Sequence, residues 1–123
     1  MTLTQQAPYL PSAGPAEADL RAFRSRLEEQ HRFRVEQLEE LAAEAGASTD
    51  SERLDVARML TIGARTALRD VEHALVRIEL GTYGVCEDCT RPIQRERLDV
   101  VPMSRYCTPC QRRASATTPG LVR

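Results

Sequence analysis

The chain has 123 residues, which is enough for one small domain or for a small module with an extended appendage. It contains no tryptophan, two phenylalanines and three tyrosines, so a large globular core is excluded and an elongated helical shape is favoured. Its 17 basic and 18 acidic residues leave a net charge of −1. That balance excludes a bulk electric field drawing the whole molecule to nucleic acid or to an anionic membrane.

The N-terminal segment and the hydropathy of the chain predict a cytoplasmic protein without a membrane partner. No apolar run approaches the roughly 18 residues that a membrane span needs. The start, MTLTQQAPYLPSAGPAE, lacks the basic flank and apolar core of a signal peptide. Residues 1–14 carry prolines and small polar residues without periodicity, so they are predicted to form a flexible leader.

A first helix is predicted from Pro15, which suits a first helical position, to the neighbourhood of Gly46, its expected terminator. Apolar residues in this segment recur mostly three and four positions apart, as on one face of a helix. This predicted seam consists of Leu20, Phe23, Leu27, His31, Val35, Leu38, Ala42 and Ala45.

A second helix is predicted after a turn at residues 46–51, where Thr49 and Glu52 have the form of a capping box. Its seam alternates three and four without a break until Gly81 ends the helix. The seam residues are Leu54, Ala57, Thr61, Ala64, Leu68, Val71, Leu75 and Ile78. Two seams of similar length with a short loop predict an antiparallel coiled-coil hairpin over residues 15–81, with its tip near residues 46–55 and its base better packed. We expect a monomer; the alternative is a helical pair that packs on a partner or dimerises into a four-helix bundle.

Four cysteines in the last third of the chain predict one structural zinc ion. Cys86 and Cys89 form one Cys-x2-Cys pair, Cys107 and Cys110 form another, and the spacing between the pairs is typical of a four-cysteine zinc site. Four thiolates close the coordination sphere, so the metal has a structural role. A redox dithiol and an iron–sulfur cluster are the competing interpretations.

The predicted zinc-finger module spans residues 82–113, and residues 114–123 are predicted to be a flexible polar tail. Arg91, Arg105 and backbone amides after each cysteine pair are candidate donors to the sulfurs. A thin apolar layer is predicted around the metal: Tyr83, Val85, Ile93, Leu98, Val100, Val101, Met103 and Tyr106.

Catalytic signatures are missing from the sequence, so we expect no enzyme. The two histidines, His31 and His73, lie in predicted helices far from the cysteines and are expected to be packed or surface residues. No phosphate-binding glycine loop, nucleophile elbow or paired-histidine motif is present.

The run LVRIELGTYGVCEDCTRPIQRERLDVVPMSRYCTPC resembles the zinc-finger end of the DksA/TraR family of bacterial RNA polymerase regulators. The family's Gly-x-Tyr-Gly before the first cysteine pair, and the Ile, Arg-Leu and Pro between the pairs, are matched at these positions: Gly81, Tyr83, Gly84, Ile93, Arg97, Leu98 and Pro102. The family tip motif Asp-x-x-Asp-x-Ala resembles residues 52–57, with Glu52 for the first aspartate, Asp55 for the second and Ala57 for the alanine.

This resemblance implies a non-enzymatic transcription regulator that binds RNA polymerase at the secondary channel. The zinc base would dock at the channel rim and the hairpin would carry Asp55, with Glu52, toward the active site; no direct DNA contact is required. A nucleotide alarmone, guanosine tetraphosphate, is a further partner that the resemblance raises. The alternatives are a zinc-stabilised protein adaptor and a nucleic-acid-binding zinc ribbon that uses arginines between residues 91 and 113.

The sequence departs from the family pattern at three places. Thr90 replaces the usual glycine after the second cysteine, which questions the backbone geometry there. The interval from Ala57 to Cys86 is shorter than in the longest members, so the hairpin is expected to enter the secondary channel less deeply than theirs. Residues 114–123 read as a tail in place of a further helix. At the tip, the structural alternative is that Glu52 only caps its helix and Asp55 only favours the helix dipole.

Overall fold

The structure is a computed structural model that describes residues 15–122. The predicted flexible leader, residues 1–14, lies outside the described residues. Four helices follow one another in this range: α1 Glu17–Ala47, α2 Ser51–Leu80, α3 Arg95–Val100 and α4 Thr108–Val122. Extended pairing in the described range is confined to an isolated bridge between Val85 and Pro92. None of the described helices is apolar and long enough to cross a membrane.

Helices α1 and α2 form the predicted antiparallel hairpin. Helix α1 begins at Glu17, after an extended Ala16 whose side chain makes no capping hydrogen bond, and Glu17 and Asp19 occupy its first turn. Pro15 therefore precedes the helix and does not occupy its first helical position. Its ring lies against Gly84 in the zinc-finger module, where a Cβ atom would come within 2.7 Å of the proline Cδ. This contact holds the start of α1 at the base of the hairpin.

The start of α2 differs from the predicted capping box. The N-cap is Asp50, whose Oδ1 accepts hydrogen bonds from the backbone N–H of Glu52 at 2.9 Å and of Arg53 at 3.5 Å. Thr49 lies one residue too early. A carboxylate satisfies the free amides and also favours the positive end of the helix dipole, so Asp50 is the stronger cap.

The end of α2 agrees with the prediction. Gly81 adopts a left-handed conformation with φ of 81°, and its N–H donates to the carbonyls of Arg77 and Ile78. The N–H of Thr82 also donates to the Arg77 carbonyl at 2.9 Å. Only glycine takes this conformation without a steric cost, so the helix ends here and the chain turns into the zinc-finger module.

The hairpin core divides into a large cluster at the base and a small one toward the tip. The base cluster includes Phe23, Leu27, Val71, Ala74 and Ile78 and continues into the zinc-finger module. The tip cluster holds Leu41, Ala57 and Ala64, with Leu38 packed against it. The better-packed base is as predicted.

The predicted seam of α1 is wrong near the tip. Ala42 and Ala45 are exposed, whereas Leu41, outside the predicted seam, is buried. The two alanines line an open groove of about 420 Å³ between the helices. Their side chains are too short to fill the space between two helices, so the larger Leu41 makes the contact.

Two polar pairs join the helices across the base half of the hairpin. Arg24 Nη1 lies 2.8 Å from Glu79 Oε2, and His31 Nε2 lies 3.1 Å from Glu72 Oε2. His31 is therefore a half-buried, paired residue of the hairpin. These pairs fix the register of the two helices but are too exposed to contribute much stability.

The end of the chain corrects the prediction of a flexible tail at residues 114–123. Helix α4 begins beside the second cysteine pair and continues to Val122. Forming the first turn is the costly step of helix formation, and the N–H of Gln111 already donates to the carbonyl of Cys107 at 2.9 Å. The alanines at 114 and 116 then favour extension. Composition alone did not reveal that the cysteine pair starts a helix.

Candidate metal centre and hairpin tip

The four cysteines come together in the zinc-finger module. Their sulfur atoms all lie within 4.8 Å of one another, with Cys86, Cys107 and Cys110 buried and Cys89 half-buried. The Sγ atoms of Cys89 and Cys107 are 3.7 Å apart, and all four thiols are free of disulfides. A tetrahedron with zinc–sulfur distances of about 2.3 Å has edges of about 3.8 Å. The arrangement therefore fits one structural zinc ion, as predicted.

A short backbone turn forms the first cysteine pair, and the start of α4 carries the second. In the first pair, the N–H of Thr90 donates to the Cys86 carbonyl at 3.0 Å, and the N–H of Cys86 donates to the Arg91 carbonyl at 2.8 Å. The N–H of Glu87 donates to the Arg105 carbonyl at 2.8 Å and so joins the first turn to the segment that precedes Cys107. Because these bonds are backbone bonds, the sulfurs are positioned by the chain itself.

Donors to the sulfurs differ in part from those predicted. The N–H of Asp88 donates to Cys86 Sγ at 3.4 Å, as expected of an amide in the turn. The arginine that contacts a sulfur is Arg113, 3.2 Å from Cys110 Sγ and 3.0 Å from the Asp88 carboxylate. Arg105 instead pairs with Asp70 of α2 at 3.0 Å. Burial alone would raise the pKa of the Cys86 thiol, but the backbone amides aimed at its sulfur lower that pKa to about 6. At Cys86 this environment favours the thiolate that a metal requires, whereas burial and the neighbouring sulfurs raise the pKa of the Cys110 thiol.

Thr90 occupies the position at which the family pattern has a glycine. It is the one non-glycine residue with positive φ among the described residues, at 65°. The turn therefore keeps the geometry that a glycine would give, at the cost of placing a β-branched side chain in the left-handed region.

We predict that Thr90→Gly stabilises the zinc-finger module. Removing the side chain relieves about 1 kcal/mol of backbone strain, partly offset by the greater freedom of glycine in the unfolded chain. Thermal unfolding of the zinc-loaded protein should show a higher midpoint for Thr90→Gly and a lower one for Thr90→Val, which keeps the branch and loses the hydroxyl. Equal midpoints for the three proteins would contradict a strained turn.

An apolar layer surrounds the cysteines and joins the module to the hairpin. Tyr83, Ile93 and Leu98 are buried in the same cluster as Phe23 and Leu27 of α1. Tyr83 donates its hydroxyl to the Pro102 carbonyl at 2.8 Å, and burial raises the pKa of this phenol to about 12. Of the predicted layer, Val100 is the exception, because it ends α3 with 78% of its surface exposed.

Charged contacts also hold the module against the hairpin. Arg95 of α3 pairs with Asp19 of α1 at 2.8 Å, and the Arg26 guanidinium of α1 donates to the Asp99 carbonyl at 2.8 Å. These contacts, with the Arg105–Asp70 pair, come from both hairpin helices. The module therefore fixes both helices at the base.

A buried arginine in α2 is the main feature that sequence reasoning missed. Arg77 is 4% exposed and donates to the backbone carbonyls of Thr82 at 3.0 Å, of Ser104 at 3.5 Å and of Val85. Its Nε also lies 3.4 Å from the Glu87 carboxylate. Burial lowers the pKa of the guanidinium, and the facing Glu87 opposes that shift. One side chain therefore ties the end of α2 to both parts of the zinc-finger module.

The position of Arg77 in the sequence gives one indication that its side chain is buried. It follows Ala74 by three positions and precedes Ile78, so it lies beside the buried stripe of α2. Glu87, next to a metal-binding cysteine, is its partner and also hydrogen-bonds His73. His73 is thus a paired residue near the module. A charged residue beside an apolar stripe, in the last helical turn before a metal-binding segment, is therefore the sequence pattern that indicates such a buried contact.

The tip residues lie at the opposite end of the hairpin from the cysteines. The Asp55 side chain is 70% exposed, and its Oδ1 accepts a hydrogen bond from Arg58 at 2.8 Å. Glu52 is also exposed and donates only its backbone N–H to the cap at Asp50. The capping role considered for the Glu52 side chain is therefore filled by Asp50. The Asp55 carboxylate lies in an open position on the first turns of α2.

The fold and the site define a class of protein: a helical hairpin whose base is held by a four-cysteine zinc finger. Residues 81–116 match the family described as the prokaryotic DksA/TraR C4-type zinc finger. This match agrees with the family resemblance that the motifs of the zinc-finger segment predicted.

Curated relatives are similar over short segments of this chain. An uncharacterised protein of Aquifex aeolicus is 49% identical over 43 residues, which are 35% of this chain and 30% of that protein. General stress protein 16O of Bacillus subtilis is 43% identical over 47 residues, 38% of this chain and 29% of that protein. The matched segment spans less than a third of either relative.

Two solved structures share the overall fold. Transcription factor DksA2 of Pseudomonas aeruginosa matches with a TM-score of 0.74 and 22% identity, over 94% of each chain. The RNA polymerase binding protein and transcriptional regulator Dks of Chlamydia trachomatis matches with a TM-score of 0.51 and 21% identity, over 89% of this chain and 98% of that one. At these identities the likeness establishes the fold.

Proposed function

We propose that the protein is a transcription regulator that binds RNA polymerase at the secondary channel and modulates initiation through its hairpin tip. The observation that carries this proposal is the Asp55 carboxylate, which is 70% exposed at the end of a two-helix rod and is paired with the exposed Arg58 of its own helix. A helix of about 30 residues is roughly 45 Å long, so the rod can deliver a charge into a passage that a globular domain would not enter. The two similar structures, a transcription factor and an RNA polymerase binding protein, support the proposal.

The two ends of the molecule have different roles in this proposal. The zinc-finger module and the hairpin base form a rigid unit, because Arg77, Arg95 and Arg105 join them through buried or paired contacts. This unit docks at the channel rim and sets the direction of the rod. The tip then places a negative charge near the cationic and metal-containing surroundings of the catalytic centre. No DNA contact is required, and one copy acts at a time.

The nucleic-acid alternative has less support from the arginines of the module. Arg95, Arg105 and Arg113 each form an ion pair with an aspartate of the same chain. Arg97 donates to the buried Ser104 hydroxyl at 2.9 Å. Phosphate binding would need these guanidinium groups to exchange partners. A nucleic-acid reader should show steeply salt-dependent binding that Arg95→Ala with Arg97→Ala removes.

The decisive variant is Asp55→Asn, assayed with purified polymerase. It keeps the shape and polarity of the side chain and removes its charge, so we expect polymerase binding within about twofold of the parent and a loss of at least about tenfold in the effect on initiation. Binding is measured by competition on polymerase, and the effect by transcript yield from responsive promoters.

The matched control is Asp50→Asn. It removes a carboxylate five residues away, and asparagine caps a helix as well as aspartate does. This variant should regulate like the parent. Full regulation by Asp55→Asn, or an equal loss in Asp50→Asn, would contradict the acidic-tip mechanism; failure of the parent to bind polymerase would reject the function itself. Adding guanosine tetraphosphate to each reaction shows whether the alarmone acts with this protein.

A further inference from the structure

The hairpin tip carries charges of both signs. Residues 50–58 contain three carboxylates and two guanidinium groups: Asp50, Glu52, Asp55, Arg53 and Arg58. Asp50 is the N-cap of α2, and its carboxylate accepts hydrogen bonds from the backbone N–H groups of Glu52 and Arg53. Beyond this capping carboxylate, the tip therefore presents two acidic and two basic side chains.

Arg58 is the basic residue that lies beside Asp55. Its Nη1 is 2.8 Å from Asp55 Oδ1, and the two side chains are 68% and 70% exposed. An exposed ion pair of this kind contributes little stability. Residues three positions apart nevertheless share one face of a helix, so the two charges stay neighbours even when solvent loosens the hydrogen bond. Arg53 lies two positions before Asp55, and residues at that spacing do not face each other.

The groove between the two helices accounts for the position of Arg58. Arg58 borders this open groove of about 420 Å³, together with Thr61 of its own helix and Ala42 and Ala45 of α1. An arginine can lay its aliphatic stem along apolar surface while its guanidinium stays in water. The small alanines of α1 leave room for that stem. Arg58 is therefore favoured at the edge of the groove, where its charge lies next to Asp55.

We propose that Arg58 attenuates the tip: it offsets part of the negative charge that Asp55 delivers and so sets how strongly the protein acts on polymerase. This inference rests on the proposed function of Asp55. A cationic target attracts the carboxylate and repels the guanidinium, and both forces grow where water is excluded. A carboxylate without this neighbour would therefore act more strongly than the ion pair. Arg58 limits the effect on initiation, and Asp55 produces it.

The test is Arg58→Gln in the zinc-loaded protein, assayed with purified polymerase. Glutamine keeps a long polar side chain and removes the charge, so the protein concentration for half-maximal effect on initiation should fall at least about threefold. Arg58→Lys keeps the charge and should act like the parent. Arg53→Gln is the matched control, because it removes the same charge from the tip on a face away from Asp55. It should change that concentration by less than about twofold.

A double variant shows whether Arg58 acts through the carboxylate. In the Asp55→Asn background, Arg58→Gln should have no further effect, because no charge remains for the guanidinium to offset. Thermal midpoints should agree within about 2 °C, since an exposed pair adds little stability. Weaker or unchanged regulation by Arg58→Gln overturns the inference, as does an equal gain in Arg53→Gln or a gain that persists in the Asp55→Asn background. If the parent regulates and Asp55→Asn does not, these results leave the proposed function standing; a parent without effect on initiation rejects both.

Discussion

Removing the metal is expected to unfold the zinc-finger module and to loosen the base of the hairpin. The buried cluster around Cys86, Cys107 and Cys110 is continuous with Phe23 and Val71, so the sulfur site and the hairpin base share one core. Structural zinc supplies on the order of 10 kcal/mol to a small module, more than the few apolar residues here could replace. The parent should hold about one zinc ion per chain, and a strong chelator should lower the helix signal in circular dichroism.

Cys107→Ser tests the same point by mutation. Serine keeps the size of the side chain but is a poor zinc ligand, so the zinc content should fall by at least about tenfold at equal free zinc. Thr108→Ser is the matched control, because it changes the neighbouring residue and keeps a hydroxyl for the 2.9 Å hydrogen bond to Gln94. A Cys107→Ser protein with full zinc content and an unchanged thermal midpoint would be incompatible with a four-cysteine site.

Replacing Arg77 by methionine is expected to cost about 3 kcal/mol of folding free energy, which is roughly 10 °C in the thermal midpoint. The substitution leaves the partly buried carbonyls of Thr82 and Val85 without their donor, and it leaves the Glu87 carboxylate without its arginine partner. Methionine retains most of the side-chain volume, so the effect reports the polar contacts. Zinc should also be lost to a chelator faster, because the module is no longer held to α2.

The exposed Arg69, two turns earlier in α2, provides the matched control. Arg69→Met should change the midpoint by less than about 2 °C, within the range of surface substitutions. The double variant Arg77→Met with Glu87→Gln should lose less stability than the two single variants predict together, since it leaves no unpaired charge. Additive losses would show that Arg77 and Glu87 do not act as a pair.

The orientation of the hairpin on its zinc base is the property on which the proposed function depends. Three side chains of the hairpin contact the module from different directions: Asp19 of α1, and Asp70 and Arg77 of α2. Because the contacts surround the base, a change in the module would tilt the whole rod. Arg77→Met is therefore expected to weaken regulation even where the acidic tip is intact. Asp55→Asn, in contrast, should affect regulation while stability remains that of the parent.

The sequence by itself determined the parts of this protein that depend on local spacing. Two cysteine pairs with a suitable interval allow one tetrahedral site, and a three-four repeat ending at a glycine gives a helix with a defined end. Gly81 and the cluster of four sulfurs lie where the sequence placed them. The antiparallel hairpin also followed, since two long amphipathic helices with a three-residue connection have few other ways to bury their seams.

The tertiary structure alone decided which side chains meet across distant parts of the chain. Arg77 could be read as a surface arginine until the turns at Thr82, Val85 and Ser104 surrounded it with carbonyl groups. The burial of Leu41 in place of Ala42, and the helix that begins at Thr108, likewise depend on neighbours that periodicity does not reveal. Local sequence sets backbone conformation through short-range sterics and hydrogen bonds. Burial and charge pairing are decided by contacts between residues far apart in the chain, and those exist only once the helices and the module have packed.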